Sequence, residues 1–446
     1  YEEYLHGTTG FEQVEITAGG HPVRTLSRTP SEPGHNLILS IDIKLQKMVE
    51  DLFGDRRGAL VAFDPRTGEI LAFVSKPTFD PNLFVEGIDS ESWKEYNESI
   101  DKPLLNRALR GTYPPGSTYK PFMALAGLNT GTRGPSVLVN DPGYFNFGGH
   151  RFGSPEGAMG NVDMRRAIQL SSNIYFYSLA NELGVDLIHD QMAPLGFGQI
   201  TGIDIGGEVR GVLPSTAWKR ATYKRPEQQK WYAGETISLG IGQGYNAFTM
   251  LQLAQAVSIV ANGGIKHKPH LALATRDTVT GQVTPVEQPP AENLGYKAAD
   301  IGVVHDGMVA VVNAGTARAA FVGAGYQAAG KTGTAQAVTQ AANTKYNAKA
   351  LEEHQRDHAL FEAFAPANDP KIAVALIVEN AGWGAGVAAP IARRVFDYWL
   401  MNQYPNEADM AAVQSGKATA PIGKPLVASE VPWPTTGTAP LASAAP

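Results

Sequence analysis

Hydrophobic positions along the chain fall into two periods. The run Leu37-Ile38-Leu39-Ser40-Ile41 reads as a strand. Asp42 follows it as a helix cap, and Leu45, Met48, Val49, Leu52 and Phe53 recur at helical spacing. Residues 59–63 and 70–74 are apolar runs of strand length. Between them lies Asp64-Pro65-Arg66-Thr67-Gly68, a turn composition that predicts a hairpin. The middle of the chain changes to helical spacing. Helices are expected around Trp93, from 118 to 128, over 162–170, from Ile174 to Gly184, over 247–262 as an amphipathic helix, and near 302–313. The period then returns to two. Strands are expected at 327–333, 361–365 and 372–379, the last two joined across Pro366-Ala367-Asn368-Asp369-Pro370. A final helix, 389–403, carries Arg393 and Arg394 on its expected polar face.

This order predicts an α+β fold: an antiparallel sheet built from both ends of the sequence, flanked by helices, with a helical domain inserted. The chain divides into residues 1–35, a polar, glycine-broken piece with short strands such as 11–16; residues 36–404, the main domain; and residues 405–446, Ala/Pro/Ser/Thr-rich and expected to be a disordered tail. Residues 131–161, rich in Gly, Asn and Phe, are expected to be irregular. No internal repeat occurs.

Composition narrows the chemistry. Of 446 residues 43% are hydrophobic and 18% charged, enough for a large core. The net charge is −6 and no basic run occurs, which argues against nucleic acid as a partner. Cysteine is absent, so disulfides, thiolate zinc sites and cysteine nucleophiles are excluded. No run reaches the roughly 18–20 apolar residues of a membrane span. The chain opens at Tyr1 without an initiator Met. It is expected to be part of a longer protein whose anchor lies upstream.

The strongest chemical signal is Tyr113-Pro114-Pro115-Gly116-Ser117-Thr118-Tyr119-Lys120. A rigid turn delivers a serine to the start of an apolar helix, and Lys120 at i+3 shares its helix face. A serine with a lysine beside it is a nucleophile with a base. A plainer reading makes Ser117 a helix cap. A lone S-x-x-K arises about once by chance in a chain of this length. Indeed Ser99-Ile100-Asp101-Lys102 repeats it, but Pro103 disfavours a helix there and Ser99 reads as a decoy. Two further elements add weight: Ser171-Ser172-Asn173 at a helix start, and Lys331-Thr332-Gly333-Thr334 on a strand. Alone, these read as a cap and an ordinary edge strand.

Together and in this order, the three sets resemble those of serine β-lactamases and penicillin-binding proteins. Residues 112–121, Gly240-Ile241-Gly242-Gln243-Gly244-Tyr245 and Lys331-Thr332-Gly333-Thr334-Ala335-Gln336 resemble class B penicillin-binding proteins, most of all the transpeptidases of cell elongation. Tyr1-Glu2, Leu5-His6-Gly7 and Val23-Arg24 look like the end of their membrane-proximal pedestal.

The resemblance implies the transpeptidase fold and a peptidoglycan D,D-transpeptidase that is a target of β-lactams. Ser117 would attack the D-Ala-D-Ala end of a stem peptide, and a second stem's amine would resolve the acyl-enzyme. Lys120 would be the base and Ser171 the proton relay, with Asn173 contacting the acyl chain and Lys120. Lys331 and the Thr332 and Thr334 hydroxyls would meet the substrate carboxylate. The N–H groups of Ser117 and Thr334 would form the oxyanion hole, and Gly333 would leave the strand edge open. No cofactor is implied. Some relatives carry zinc on Asp, His and Cys; Asp141 and His150 fall in that region, but without Cys no metal is expected. His354 and His358 lack the Glu that a zinc-protease helix needs. Implied partners are a SEDS-family membrane glycosyltransferase and an MreC-type scaffold. The implied location is the periplasmic side of the inner membrane, with a single span upstream. The alternatives are a D,D-carboxypeptidase or β-lactamase on the same fold, or a non-catalytic β-lactam sensor.

Overall fold

One five-stranded antiparallel sheet takes its strands from both ends of the sequence. The structure is a computed structural model and describes residues 1–337 and 351–432. At the N-terminus, β1 (Phe11–Ile16) and β2 (Pro22–Thr29) form a hairpin with every residue exposed. After strand Asn36–Leu39, helix α1 (Ile43–Phe53) starts where the pattern places it. The Asp42 side chain accepts from Leu45 N–H at 2.9 Å, and the five periodic apolar residues are all buried.

The main sheet comprises β3 (Gly58–Phe63) and β4 (Ile70–Lys76), then β7 (Ala329–Ala335), β8 (His358–Ala365) and β9 (Ile372–Val378); the short strands between the two groups include β5 (Tyr144–Phe147) and β6 (His150–Gly153). The order in space is β7-β8-β9-β3-β4, so β7 is an edge strand. In register, Lys331 lies opposite Glu362 and Thr334 opposite Ala359. β3 and β9 are buried along their whole length, which is why they read as unbroken apolar runs. Helices cover both faces. Phe364 meets His305 of helix α6 (Ala298–Ala314), with ring centroids 4.8 Å apart. Phe361, three residues away and so on the other face, meets Phe321 at 6.0 Å. Phe321 packs in turn on Phe396 of α7 (Gly384–Met401).

The inserted helices include α2 (Lys120–Asn129), α3 (Met164–Leu170), α4 (Asn173–Leu183) and α5 (Met250–Ala261). α5 is not amphipathic in place, since all its residues are buried. Its two glutamines donate to main-chain carbonyls. Gln252 Nε2 donates to Gln199 O and Arg210 O at 2.6 and 2.8 Å, and Gln255 Nε2 to His267 O at 3.2 Å.

Three other expectations are corrected. The 131–161 region is not irregular. Val139–Asp141 pairs with Gly160–Val162, and inside that ladder β5 (Tyr144–Phe147) pairs with β6 (His150–Gly153). Arg393 and Arg394 are not on a polar face but are buried beside Asp397 and Asp409. The segment from 405 is not a disordered tail over its described part. α8 (Glu407–Gln414) forms there and packs on α1, with Asp409 and Val413 buried. Sequence composition missed it because its anchor is a charge, not an apolar run. Residues 433–446 lie outside the described residues.

Candidate active site

The serine turn is held from three sides. Tyr113 exchanges backbone hydrogen bonds with Phe248, both at 2.9 Å. Its hydroxyl donates to Glu379 Oε1 at 2.6 Å, and Arg107 Nε donates to the same oxygen at 2.8 Å. Gly116 N–H donates to Gly242 O at 3.0 Å. Gly116 has φ +56°, and a Cβ there would stand 2.5 Å from Thr334 O, so glycine is needed both for the turn and for its contact with β7. Beyond the turn, Tyr119 stacks on Phe248 at 5.8 Å and meets Phe197 edge-on at 5.4 Å, fixing the start of α2.

Ser117 is not a helix cap. It lies within the 3₁₀ turn Gly116–Tyr119, no side chain caps that turn, and Ser117 is half-buried at the cleft. Its hydroxyl is thereby left for other work. Lys120, fully buried, lies 2.7 Å from Asn173 Oδ1, 2.6 Å from Ser171 O and 3.0 Å from Ser171 Oγ. Lys331, also fully buried, donates to Ser171 Oγ at 2.9 Å and to Thr332 O at 3.0 Å. One hydroxyl therefore bridges two amines. Burial, and then the charge of Lys331, hold the Lys120 ammonium well below the ordinary lysine range. Burial also lowers Lys331, but Glu362 and Glu156 offset it and it comes to about 8. Of the two, Lys120 is the amine driven furthest toward its neutral form, and Lys331 keeps its proton longer. A neutral amine has two N–H groups for Ser171 O and Asn173 Oδ1, and a lone pair left for a hydroxyl proton.

The Ser-x-Asn segment divides its labour. Ser171 is in the left-handed region (φ 63°), where α3 ends. Ser172, not Ser171, caps α4 by accepting from Tyr175 N–H at 3.1 Å. Ser172 in turn donates to Asp141 Oδ2 at 2.6 Å, and Asp141 Oδ1 accepts from Gly143 N–H at 2.8 Å. Asp141 thus orients the segment that carries Ser171 and Asn173. His150 is exposed on β6 against Phe152. Among the described residues no cluster of three or more His, Cys, Asp or Glu side chains is placed to hold a metal ion. Ser99 terminates the helix Ser90–Glu98, accepts from Asp101 N–H at 3.2 Å, and stands outside the cleft.

The cleft, about 350 Å³, brings together Ser117, Ser171, Asn173, Thr332, Gly333 and Thr334. Thr332 Oγ1 shares a 2.6 Å hydrogen bond with Thr316 Oγ1. Gly333 is buried on the edge strand β7 and lines the cleft; a Cβ there would meet Thr118 Cγ2 at 2.8 Å, so the glycine brings β7 against the serine turn. Sequence reasoning missed Thr316, Glu156, Tyr177, Asp357 and Trp383, which also line the cleft. None carries a local signal, since each arrives from a separate loop or helix. Gln243, which reaches Thr334 O at 3.4 Å, was marked by its glycine-rich surroundings.

Comparisons agree with this geometry. Residues 58–397 match the family described as penicillin binding protein transpeptidase domain. The peptidoglycan D,D-transpeptidase MrdA of Acinetobacter baumannii is 44% identical over 429 residues, covering 95% of this chain and 62% of the relative. The chain therefore spans 62% of that relative's length. A crystal structure of Pseudomonas aeruginosa PBP2 in complex with WCK 5153 aligns with TM-score 0.74 at 44% identity, covering 83% of this chain and 79% of that one. A complex between PBP2 and MreC from Helicobacter pylori aligns with TM-score 0.76 at 28% identity, covering 89% and 70%. The chain belongs to the penicillin-binding protein transpeptidase family.

Proposed function

We propose that the chain is the catalytic part of a peptidoglycan D,D-transpeptidase of cell elongation, working through a serine acyl-enzyme. The observation that carries this reading is the Ser171 hydroxyl held 3.0 Å from Lys120 and 2.9 Å from Lys331, at the floor of a cleft that Ser117 lines.

Ser117 Oγ attacks the penultimate D-Ala carbonyl, and its proton passes to the neutral Lys120. The developing oxyanion is met by the N–H groups of Ser117 and Thr334, an arrangement that typically contributes about 3–4 kcal/mol. Collapse breaks the peptide bond. The proton returns from Lys120 through Ser171 to the leaving D-Ala nitrogen. An amine from a second stem peptide then attacks the ester, gives its proton to the same base, and frees Ser117. Asn173 positions Lys120 and the acyl chain. Lys331, Thr332 and Thr334 receive the terminal carboxylate. β-Lactams acylate the same serine.

The wider assignments rest on the family resemblance and, for the scaffold, on the Helicobacter pylori PBP2–MreC complex. We place residues 1–35 in a pedestal, with a SEDS-family glycosyltransferase and an MreC-type scaffold as partners. The region would stand in the periplasm, tethered to the inner membrane by a preceding span. No helix among the described residues is long and apolar enough to cross a membrane.

Labelling with a fluorescent penicillin tests the reading. Ser117→Ala loses all covalent label while melting as the parent does, and Ser99→Ala keeps full label. Label retained on Ser117→Ala sinks the mechanism. An acyl-enzyme that persists for hours fits a transpeptidase, whereas turnover in seconds would make the chain a hydrolase.

A further inference from the structure

Behind Lys331 lies a carboxyl group that the mechanism above does not use. Glu362 sits in the middle of β8, directly opposite Lys331 on β7. Opposed residues of an antiparallel pair project to the same face. Glu362 is 0% exposed, and neither carboxyl oxygen has a hydrogen-bond partner. Its sequence surroundings, His358-Ala359-Leu360-Phe361-Glu362-Ala363-Phe364-Ala365, are otherwise those of a core strand. An unpaired carboxyl in such a place is costly, and an apolar side chain would fill it without that cost.

The elements around Glu362 leave it few charged neighbours. Its partner on β9 is Ala375, and neither β9 nor α5, which also packs on β8, holds an ionisable residue. α6 contributes His305, whose ring lies on Phe364, and also carries Asp300 and Asp306. Arg393, Arg394 and Asp397 belong to α7, which covers the opposite face through Phe396 and Phe321. From the cleft side come Lys120 and Glu156, the second exposed. Lys331 is therefore the cation set against Glu362.

We propose that Glu362 is a positioning residue of the active site, a buried carboxyl set opposite Lys331 that favours its charged form from inside the sheet. This rests on the acyl-enzyme reading of the cleft. The two groups titrate as a pair. Burial holds the carboxyl protonated well above the usual carboxylate range, while the nearby ammonium acts in the opposite sense. An ionised Glu362 favours the Lys331 ammonium, and that ammonium in turn lowers Lys120.

The test is the pH profile of penicillin acylation, kinact/KI from pH 5 to 10, for the parent, Glu362→Gln and Glu362→Leu. Gln keeps the shape but cannot ionise. The expected result is an alkaline limb displaced by about one pH unit to lower pH, with acylation at pH 6.5 within about two-fold of the parent. The variants should melt at or above the parent temperature, as expected on removing an unpaired buried carboxyl. The Leu variant supplies the same comparison should Gln fail to fold. Acylation of the parent establishes the acyl-enzyme reading independently. An unmoved alkaline limb in a folded variant then overturns the role of Glu362 alone.

Discussion

Two regions bury positive charge, and they do so in opposite ways. On α7, Arg394 is 1% exposed, and its guanidinium donates to both oxygens of Asp409 at 2.6 and 3.0 Å and to Thr419 O at 2.6 Å. Arg393 beside it donates to both oxygens of Asp397 at 2.8 and 2.9 Å. In the cleft, Lys120 and Lys331 are buried as deeply but meet hydroxyl, amide and carbonyl oxygens. A cation neutralised by a carboxylate has little reason to change its proton count. A cation held by neutral dipoles beside another cation does. The first arrangement fastens helices; the second prepares a base.

The contrast can be broken at the base first. Lys120→Ala should lower penicillin acylation by about 10²–10⁴-fold, the usual contribution of a positioned acid–base group. The melting temperature should fall little or not at all, since the lost amine was costly to bury. Unchanged acylation would remove Lys120 from the mechanism. Breaking the other region should do the reverse. Asp409→Ala leaves Arg394 buried without its counter-charge and should cost about 3–5 kcal/mol of stability, read from urea unfolding. Acylation per folded molecule should stay near the parent value.

The smallest effect sharpens the comparison by pH. Acylation should rise as Lys120 loses its proton, well below the ordinary lysine range, and fall as Lys331 loses its own near about 8. The alkaline side of the bell is therefore set by Lys331. A rate still climbing through pH 9 would show that charge on Lys331 is not required.

The cleft was more legible in sequence than its supports. Ser117, Lys120, Ser171, Asn173 and Lys331 sit in short segments whose spacing already points to shared chemistry, and the fold brings those segments together. The Asp42 cap and the β3–β4 hairpin were equally plain, because their causes lie within a few residues. Arg393 and Arg394 misled for the opposite reason. Charged residues on a helix suggest a solvated face, and Arg394's partner lies fifteen residues on in a segment that composition marks as tail. Asp141 falls where some relatives hold zinc and was expected to hold none; its actual partner, Ser172, lies thirty-one positions away and no local pattern points to it. Glu362 gave no signal at all, because a single carboxylate does not disturb an apolar strand pattern. Periodicity reports what an element buries, not what it meets.

The strand order β7-β8-β9-β3-β4 also governs when the cleft can exist. β3 and β4 emerge from the ribosome early, but the second neighbour of β3 is β9, which ends at Val378. Lys331 likewise reaches Ser171 only after a long helical stretch has been synthesised. Such distant pairings make folding slow and leave the nascent hairpin with an open flank for a holdase to protect. A chain stopped before β9 would own the nucleophile and its lysine yet lack the surface on which they are assembled.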